Sequence, residues 1–387
     1  MLSPSSAATV RATLPAVGAA IGEIAERFYA RLFDAHPELL RNLFNRGNQA
    51  SGAQKQALAG SIAAFATMLL EHPDKRPDAM LGRIAHKHAS LGIAPEQYEV
   101  VHEHLFAAIV EVLGDAVTPE VAAAWDEVYW LMARTLIGLE RGLYEESGGS
   151  GTREWEVVER VPETSDVVTL RLRPVDGGPV SGFRAGQYVS VGVDLPDGAH
   201  QIRQYSLSGA PGAGLRQISV KRVEGEVSAF LHAHAAVGDR LTLSEPYGDL
   251  VLDGDDDRPL LLASAGIGVT PMVAMLASLA ADGHTGPVTV VHGDRSPAGH
   301  ALRADHERYA GKLADSACHF FYERDAADGA RTGLVDLAGI PVPSGTRAYL
   351  CGPLPFMRAV RAQLIEKGVA PADIHYEVFG PDLWLAS

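Results

Sequence analysis

One change of rhythm constrains this chain more than any other feature. Up to about residue 146 apolar side chains recur three and four residues apart, whereas from Trp155 they recur at every second residue. The first spacing marks a helix with one buried face and the second a half-buried strand, so no single fold class accommodates both stretches. Ile21, Ile24, Ala25, Phe28, Leu32 and Phe33 set the helical pattern. Tyr98, Val101, Leu105, Ile109 and Val112 continue it after Pro95, and Tyr129, Met132, Leu136, Ile137 and Leu143 close it. The spacing predicts an all-α domain over residues 1–146, built of about six to eight helices.

Ser147-Gly148-Gly149-Ser150-Gly151 then interrupts the pattern. Residues 147–151 have the composition of a flexible joint, and a joint this short keeps its neighbours close. Beyond it, strands are predicted at residues 155–161, 167–172, 188–193 and 217–223, with a short helix at 228–234. Gly and Pro clusters separate them at the spacing of a small antiparallel β-barrel, which occupies residues 152–257. From Arg258 onwards apolar strands at 260–263, 288–291, 319–322 and 349–350 alternate with helices at 272–281 and from Phe356. That alternation predicts an α/β domain with a parallel sheet over residues 258–387. The chain is therefore read as multidomain.

Length agrees, because 387 residues exceed one ordinary core. The net charge of −15 argues against a nucleic-acid partner. Cys318 and Cys351 are the only cysteines, too few for a disulfide framework. Met1-Leu2-Ser3-Pro4 lacks a basic region followed by an apolar run, so a cytoplasmic location is expected. Residues 259–281 carry no charge, but Gly266, Gly268 and Pro271 would break a spanning helix in its middle. A buried strand, a tight turn and a packed helix account for them better, and no stable membrane insertion is expected.

Two turns in the last third point to a nucleotide. Gly266-Ile267-Gly268-Val269-Thr270-Pro271 and Cys351-Gly352-Pro353 each follow an apolar run and open a helix. Backbone N–H groups at a helix start attract anions, and glycine lets a phosphate approach. Thr270 is read as the helix N-cap and Pro271 as part of the first turn. Pro271 stands where the dinucleotide fingerprint has its third glycine, so the turn alone is a weak signal. Arg203 and Tyr205 share one face of an extended segment, where a cation beside an aromatic plane can hold a phosphate and cover a flat ring. Taken alone that tetrapeptide is more often an exposed Arg beside a half-buried Tyr.

In the helical block, His86 and His88 are two apart, as are His102 and His104. Such pairs lie about 200° apart around a helix and cannot chelate one ion together. His86, His102 and His104 are read as surface or satisfied residues. His88 has an apolar border in Ala85, Ala89 and Leu91, with Pro95 resetting the chain after it. A haem pocket needs one axial imidazole, an apolar wall and a polar group opposite. Phe28-Tyr29, Leu43-Phe44-Asn45, and Gln54 with Leu58 are candidates for the opposite side.

The order of short motifs is more specific than any of them. Gly186-Gln187-Tyr188, Arg203-Gln204-Tyr205-Ser206, Gly225-Glu226-Val227-Ser228, Pro246-Tyr247-Gly248-Asp249, the two turns above and Glu377-Val378-Phe379-Gly380-Pro381 follow one another. Residues 152–387 thereby resemble the ferredoxin-NADP reductase superfamily, whose barrel binds FAD and whose α/β domain binds the nicotinamide cofactor. With Pro37-Glu38-Leu39, Asn48-Gln49, Lys87-His88 and Pro95-Glu96-Gln97-Tyr98 in front, the whole chain resembles the flavohaemoglobin family. The resemblance implies a globin with haem b, an FAD barrel and an NAD(P) domain.

It implies His88 as the proximal iron ligand, with Tyr98 and Glu140 behind it. Tyr29, Phe28, Phe44, Gln54 and Leu58 would form the distal side, and Tyr29, Tyr98 and Glu140 the catalytic set. Tyr188, Arg203, Gln204, Tyr205, Ser206, Val378, Phe379, Gly380 and Pro381 would meet FAD. Gly266, Ile267, Gly268, Val269, Thr270, Pro271, Cys351, Gly352 and Pro353 would meet NADH or NADPH. Lys87 and Glu377 would tune the two potentials. The implied activity is nitric oxide dioxygenation, with electrons passing from NAD(P)H through FAD to haem, and with O₂ and NO as the small-molecule partners. Two alternatives stand beside it. One is a hydroperoxide reductase whose distal wall of Ile62, Phe65, Ala66 and Met68 admits a lipid tail. The other is an O₂ carrier or sensor kept ferrous by its reductase. Asp294 suits a ribose hydroxyl and Arg295 with Ser296 a 2′-phosphate, while family precedent favours NADH. A monomer is expected.

Overall fold

A computed structural model describes residues 1–73, 78–252, 257–326 and 329–381, so residues 253–256 of the expected barrel and 382–387 of the expected α/β domain lie outside the described residues. The amino-terminal part is helical: α1 (Pro4–Ala35), α2 (Pro37–Asn42), α3 (Arg46–Ala50), α4 (Ala53–Glu71), α5 (Asp78–Ser90), α6 (Glu96–Leu113) and α7 (Pro119–Ser147). Local chemistry sets the starts. Ser3, Asn45 and Thr118 cap α1, α3 and α7 by accepting from backbone N–H groups one turn on, and Pro4 and Pro119 occupy the first helical position.

α1 begins well before the periodic residues at 21–33 and runs through Pro15. A proline inside a helix removes one hydrogen bond and disfavours helix, which hides this start from a sequence reading. Val10, Val17, Ile24, Phe28 and Leu32 nevertheless bury one continuous stripe. At about 1.5–3 kcal/mol for each large apolar side chain, that stripe outweighs the lost bond. It packs into a core with Phe65, Leu81, Leu105, Trp125 and Leu136. The expected joint starts as a helix stop. Ser147 belongs to α7, and Gly148 at φ 84° returns its amide to the Tyr144 carbonyl, a left-handed position that favours glycine.

The next part is a closed sheet of β1 (Thr152–Pro162), β2 (Val167–Pro174), β3 (Tyr188–Asp194), β4 (His200–Ser206), β5 (Arg216–Lys221) and β6 (Arg240–Ser244), with α8 (Glu226–His234) before β6. The strand order is β4-β3-β6-β1-β2-β5. β1 with β2, β1 with β6 and β2 with β5 are antiparallel. An antiparallel bridge from Leu207 to Ile218 links the end of β4 back to β5. β4 was legible only as an extended tetrapeptide, and β6 not at all. The polar residues of β4 hide its alternation and five residues are too few to show that of β6, although Leu241 and Leu243 of β6 face the core.

The last part holds β7 (Leu260–Ala265), α9 (Val269–Asp282), β8 (Val288–Asp294), α10 (Arg303–Ala310), β9 (Ser316–Tyr322), β10 (Arg331–Thr332), β11 (Arg347–Cys351), α11 (Leu354–Glu366) and β12 (Ile374–Glu377). The sheet order is β10-β9-β8-β7-β11-β12, with every pair parallel. The chain runs outward from β7 through β8 to β9, then returns to the other side of β7 as β11. The switch point therefore lies between β7 and β11, and ligands of open α/β sheets bind at the carboxyl ends beside such a point. The uncharged stretch resolves into β7, a turn and α9. No described helix is long and apolar enough to cross a membrane.

Contacts divide the chain into two units. One comprises Met1–Gly151, Gly192–Ile202 and the described residues from Gly380; the other comprises Thr152–Val191 and Arg203–Phe379.

Candidate functional site

His88 lies in the last turn of α5, Tyr98 in the first turns of α6 and Glu140 near the end of α7. Three helices converge at these residues. His88 Nδ1 is 2.8 Å from Glu140 Oε1 and 2.9 Å from the Tyr98 hydroxyl. Tyr98 Oη donates to the same carboxylate oxygen at 2.5 Å. Glu140 is 2% exposed, so its charge is held by hydrogen bonds rather than by water. A buried carboxylate accepting from Nδ1 fixes the histidine tautomer and leaves Nε2 as the lone-pair nitrogen. No described group hydrogen-bonds to Nε2. That donor set fits an axial haem ligand. Burial, and then the Glu140 charge, push the Tyr98 phenol far up, so it remains a donor. Tyr129 Oη donates to the Tyr98 carbonyl at 2.5 Å, a support with no sequence signal beyond its helical spacing.

Tyr29 and Phe28 are buried on α1. Burial pushes the Tyr29 hydroxyl up to about 12, while the side chains of Gln54 and Gln49 pull the other way. Gln54, which the resemblance groups with Tyr29, lies in the first turn of α4. Gln49 on α3 holds its amide nitrogen buried with no hydrogen-bond partner. Phe44 lies edge-on to Tyr29 at 5.9 Å, and Phe33 stacks on Tyr29 at 5.6 Å. Leu58 packs partly exposed against the helical core. Phe65 and Ala66 are fully buried there, and Ile62 and Met68 pack on it, the arrangement ordinary helix packing gives. His102 is satisfied by Asp126 at 2.7 Å and stacks on Phe106. Lys87 is half-buried beside His88.

In the barrel, Arg203, Gln204, Tyr205 and Ser206 form the end of β4, and Tyr188 begins β3. Gln204 Nε2 donates to Ser190 Oγ at 2.8 Å. Desolvation pushes the Tyr205 phenol up, opposed by the Arg203 charge. Ser206 Oγ is buried with no hydrogen-bond partner, an orphan that a polar ligand would satisfy. Such an orphan at the end of a strand that also carries Arg203 and Tyr205 fits a bound flavin.

At the switch point the two turns abut. A Cβ on Gly268 would meet the Cys351 carbonyl oxygen at 2.1 Å, so only glycine fits there. Gly266 takes φ +53°, and with Ile267 it is half-exposed, whereas residues 268–271 are buried. Thr270 is not the N-cap. Gly268 occupies that position, and Thr270 Oγ1 donates to the Ile267 carbonyl at 3.0 Å. The helix starts two residues earlier because the glycine turn winds directly into it. Cys351 pairs with Glu377 across β11 and β12; burial and then Glu377 push its thiol up. Gly352 is half-buried and Pro353 exposed. Two residues past Glu377, Phe379 is 47% exposed, an apolar ring without cover. Val378 and Pro381 are half-buried, and Gly380 is exposed.

A helical unit with a carboxylate-backed imidazole, followed by a closed barrel and a parallel sheet with a glycine turn at its switch point, defines an oxidoreductase that joins a globin to a flavin and dinucleotide module. The globin family matches residues 26–136, the oxidoreductase FAD-binding domain residues 154–251 and the oxidoreductase NAD-binding domain residues 262–362. The chain belongs to the flavohaemoglobin, or flavohemoprotein, family. A flavohemoprotein of Rhizobium meliloti is 42% identical over 99% of this chain and 100% of its own length. That of Bordetella pertussis is 44% identical over 98% and 99%. A crystal structure of flavohemoglobin from Malassezia yamatoensis with bound FAD and heme has a TM-score of 0.93 and 39% identity, covering 98% of this chain and all of that one. The FAD/NAD-binding domain of nitric oxide dioxygenase from Vibrio cholerae has a TM-score of 0.57 and 37% identity over 59% of this chain. Haem, FAD and a nicotinamide dinucleotide are the cofactors of this family.

Proposed function

We propose that this oxidoreductase is a nitric oxide dioxygenase that draws its electrons from NADH. The observation that carries the reading is the buried carboxylate of Glu140 behind His88. Haem bound there would supply O₂ binding and one-electron chemistry. His88 Nε2 would hold the iron. Glu140, accepting the Nδ1 proton, makes that imidazole a stronger electron donor, which suits oxidation of a bound partner better than reversible O₂ storage. Tyr98 positions the carboxylate. On the opposite side Tyr29 keeps its proton and would offer a hydrogen bond from Oη, its ring held between Phe33 and Phe44. Phe28, Phe44 and Leu58 exclude water around it.

In the reductase, Tyr188, Arg203, Gln204, Tyr205 and Ser206 would hold FAD, with residues 378–381 against its ring. Residues 266–271 and 351–353 would hold the dinucleotide. Asp294 ends β8. Its carboxylate suits a ribose hydroxyl and repels a 2′-phosphate, which supports NADH. Lys87 and Glu377 would adjust the haem and flavin potentials.

The relative from Vibrio cholerae described as a nitric oxide dioxygenase domain supports the same activity. Rapid mixing of the oxygenated ferrous protein with NO tests it. Stoichiometric nitrate formed within the mixing experiment is expected. Slow decay, or products other than nitrate, would remove the dioxygenase reading, and NADH-dependent hydroperoxide consumption would replace it with a peroxide reductase.

A further inference from the structure

The α/β sheet buries three imidazoles in one place, and none of them serves the chemistry above. His292 ends the apolar run of β8, His300 follows the turn Pro297–Gly299, and His306 lies on α10. Their exposures are 0%, 4% and 0%. One ligand nitrogen from each falls within 4.8 Å of the other two. Two of the rings present buried nitrogens with no hydrogen-bond partner, His292 Nε2 and His306 Nε2. A buried polar atom left unsatisfied costs roughly 1–3 kcal/mol, and three apolar side chains would fill the same volume without that cost.

From this we infer that His292, His300 and His306 form a binding site for one imidazole-preferring divalent cation of the zinc class. The spacing suits one pair, whereas His292 and His300 stack face to face at 3.9 Å and 20°, so one of those two rings must turn to share the ion. His300 Nε2 and His306 Nδ1 stand 3.2 Å apart, close to the ~3.3 Å between two nitrogens on one tetrahedral zinc with bonds of ~2.0–2.1 Å. A flip of the His306 ring exchanges the nitrogen it presents. The far sides of the other two rings are already held. Ser264 Oγ lies 2.8 Å from His292 Nδ1, and Tyr322 Oη lies 2.9 Å from His300 Nδ1. Metal-binding histidines are oriented by such partners on the nitrogen that does not ligate. Asp294, assigned above to the dinucleotide ribose, stands 3.7 Å from His292 Nε2 through Oδ2 and is not counted among the ligands.

One further feature agrees. Leu302, buried between two of the ligands, takes φ 55°, a left-handed conformation that a leucine adopts only where its surroundings enforce it. That residue starts α10 and turns His306 back onto His300. The cation would tie β8, the turn and α10 together.

Equilibrium dialysis of the full-length holoprotein against Zn²⁺, with metal analysis and zinc-edge X-ray absorption, tests the assignment. One zinc per chain with a three-imidazole shell is expected. His300→Gln and His306→Gln should each abolish that stoichiometric uptake while haem and flavin absorption persist. Should these variants fail to fold, Ser264→Ala keeps all three ligands and should weaken zinc by about 10–100-fold. Absence of zinc uptake by the native protein, or uptake unchanged in Ser264→Ala and in the histidine variants that fold, would overturn the site and leave a neutral imidazole stack.

Discussion

At the scale of single residues, Tyr29 shows how burial writes a pH dependence. Its hydroxyl is 4% exposed and raised from 10.0 to about 12. The stability this protonated phenol lends is fully present below the unfolded value, near pH 10, and is lost as pH rises through about 12. At 1.36 kcal/mol per unit the loss is about 3 kcal/mol. Tyr29→Phe should therefore flatten the alkaline fall in haem-monitored stability; an unaltered fall between pH 10 and 12 would assign the effect elsewhere. Tyr98→Phe removes one donor from the buried Glu140 carboxylate. A hydrogen bond to a charged group is worth ~1.5–3 kcal/mol, so a stability loss of that order is expected in denaturant titration. The iron–histidine stretching band should shift as well, and an unmoved band would mean that Tyr98 does not act through the carboxylate. Of this site, Tyr29 and Gln54 were legible at helical spacing together with the resemblance. Gln49 was not, because a glutamine in a short helix has no local mark of what it faces.

At the scale of elements, the start of α9 depends on an approach that only two backbones make. A methyl group on Gly268 would sit 2.1 Å from the Cys351 carbonyl oxygen. Gly268→Ala must push β7 and β11 apart at their carboxyl ends. NADH-driven ferricyanide reduction should fall by at least about tenfold, equivalent to ~1.4 kcal/mol, while the Soret band stays as it was. Full activity in that variant would show that the turn tolerates displacement. The glycine was visible as a turn signal, but its reason was not, since Cys351 lies on a strand that arrives much later in the chain. Pro15 gives the converse lesson: a strong local breaker is overridden by the stripe from Val10 to Leu32 that α1 buries. β6 was missed because two inward leucines make too short a pattern to stand out.

At the scale of the whole molecule, a helical unit and a reductase module carry separate chemistries on one chain. His88→Ala should abolish the Soret band and leave flavin absorption and NADH–ferricyanide activity in place. Loss of the flavin together with the haem would mean that the two folds depend on each other. What the sequence by itself determined was the kind of parts and their order, because helical and strand periods, glycine turns and caps are properties of neighbouring residues. Only the tertiary structure decided which distant residues meet. His88 and Glu140 lie on different helices and meet in a hydrogen bond of 2.8 Å; Leu207 closes the barrel onto Ile218; His292, His300 and His306 converge in one buried pocket. Such meetings depend on how amphipathic faces pack against one another, and packing is a property of the assembled core that no local spacing records.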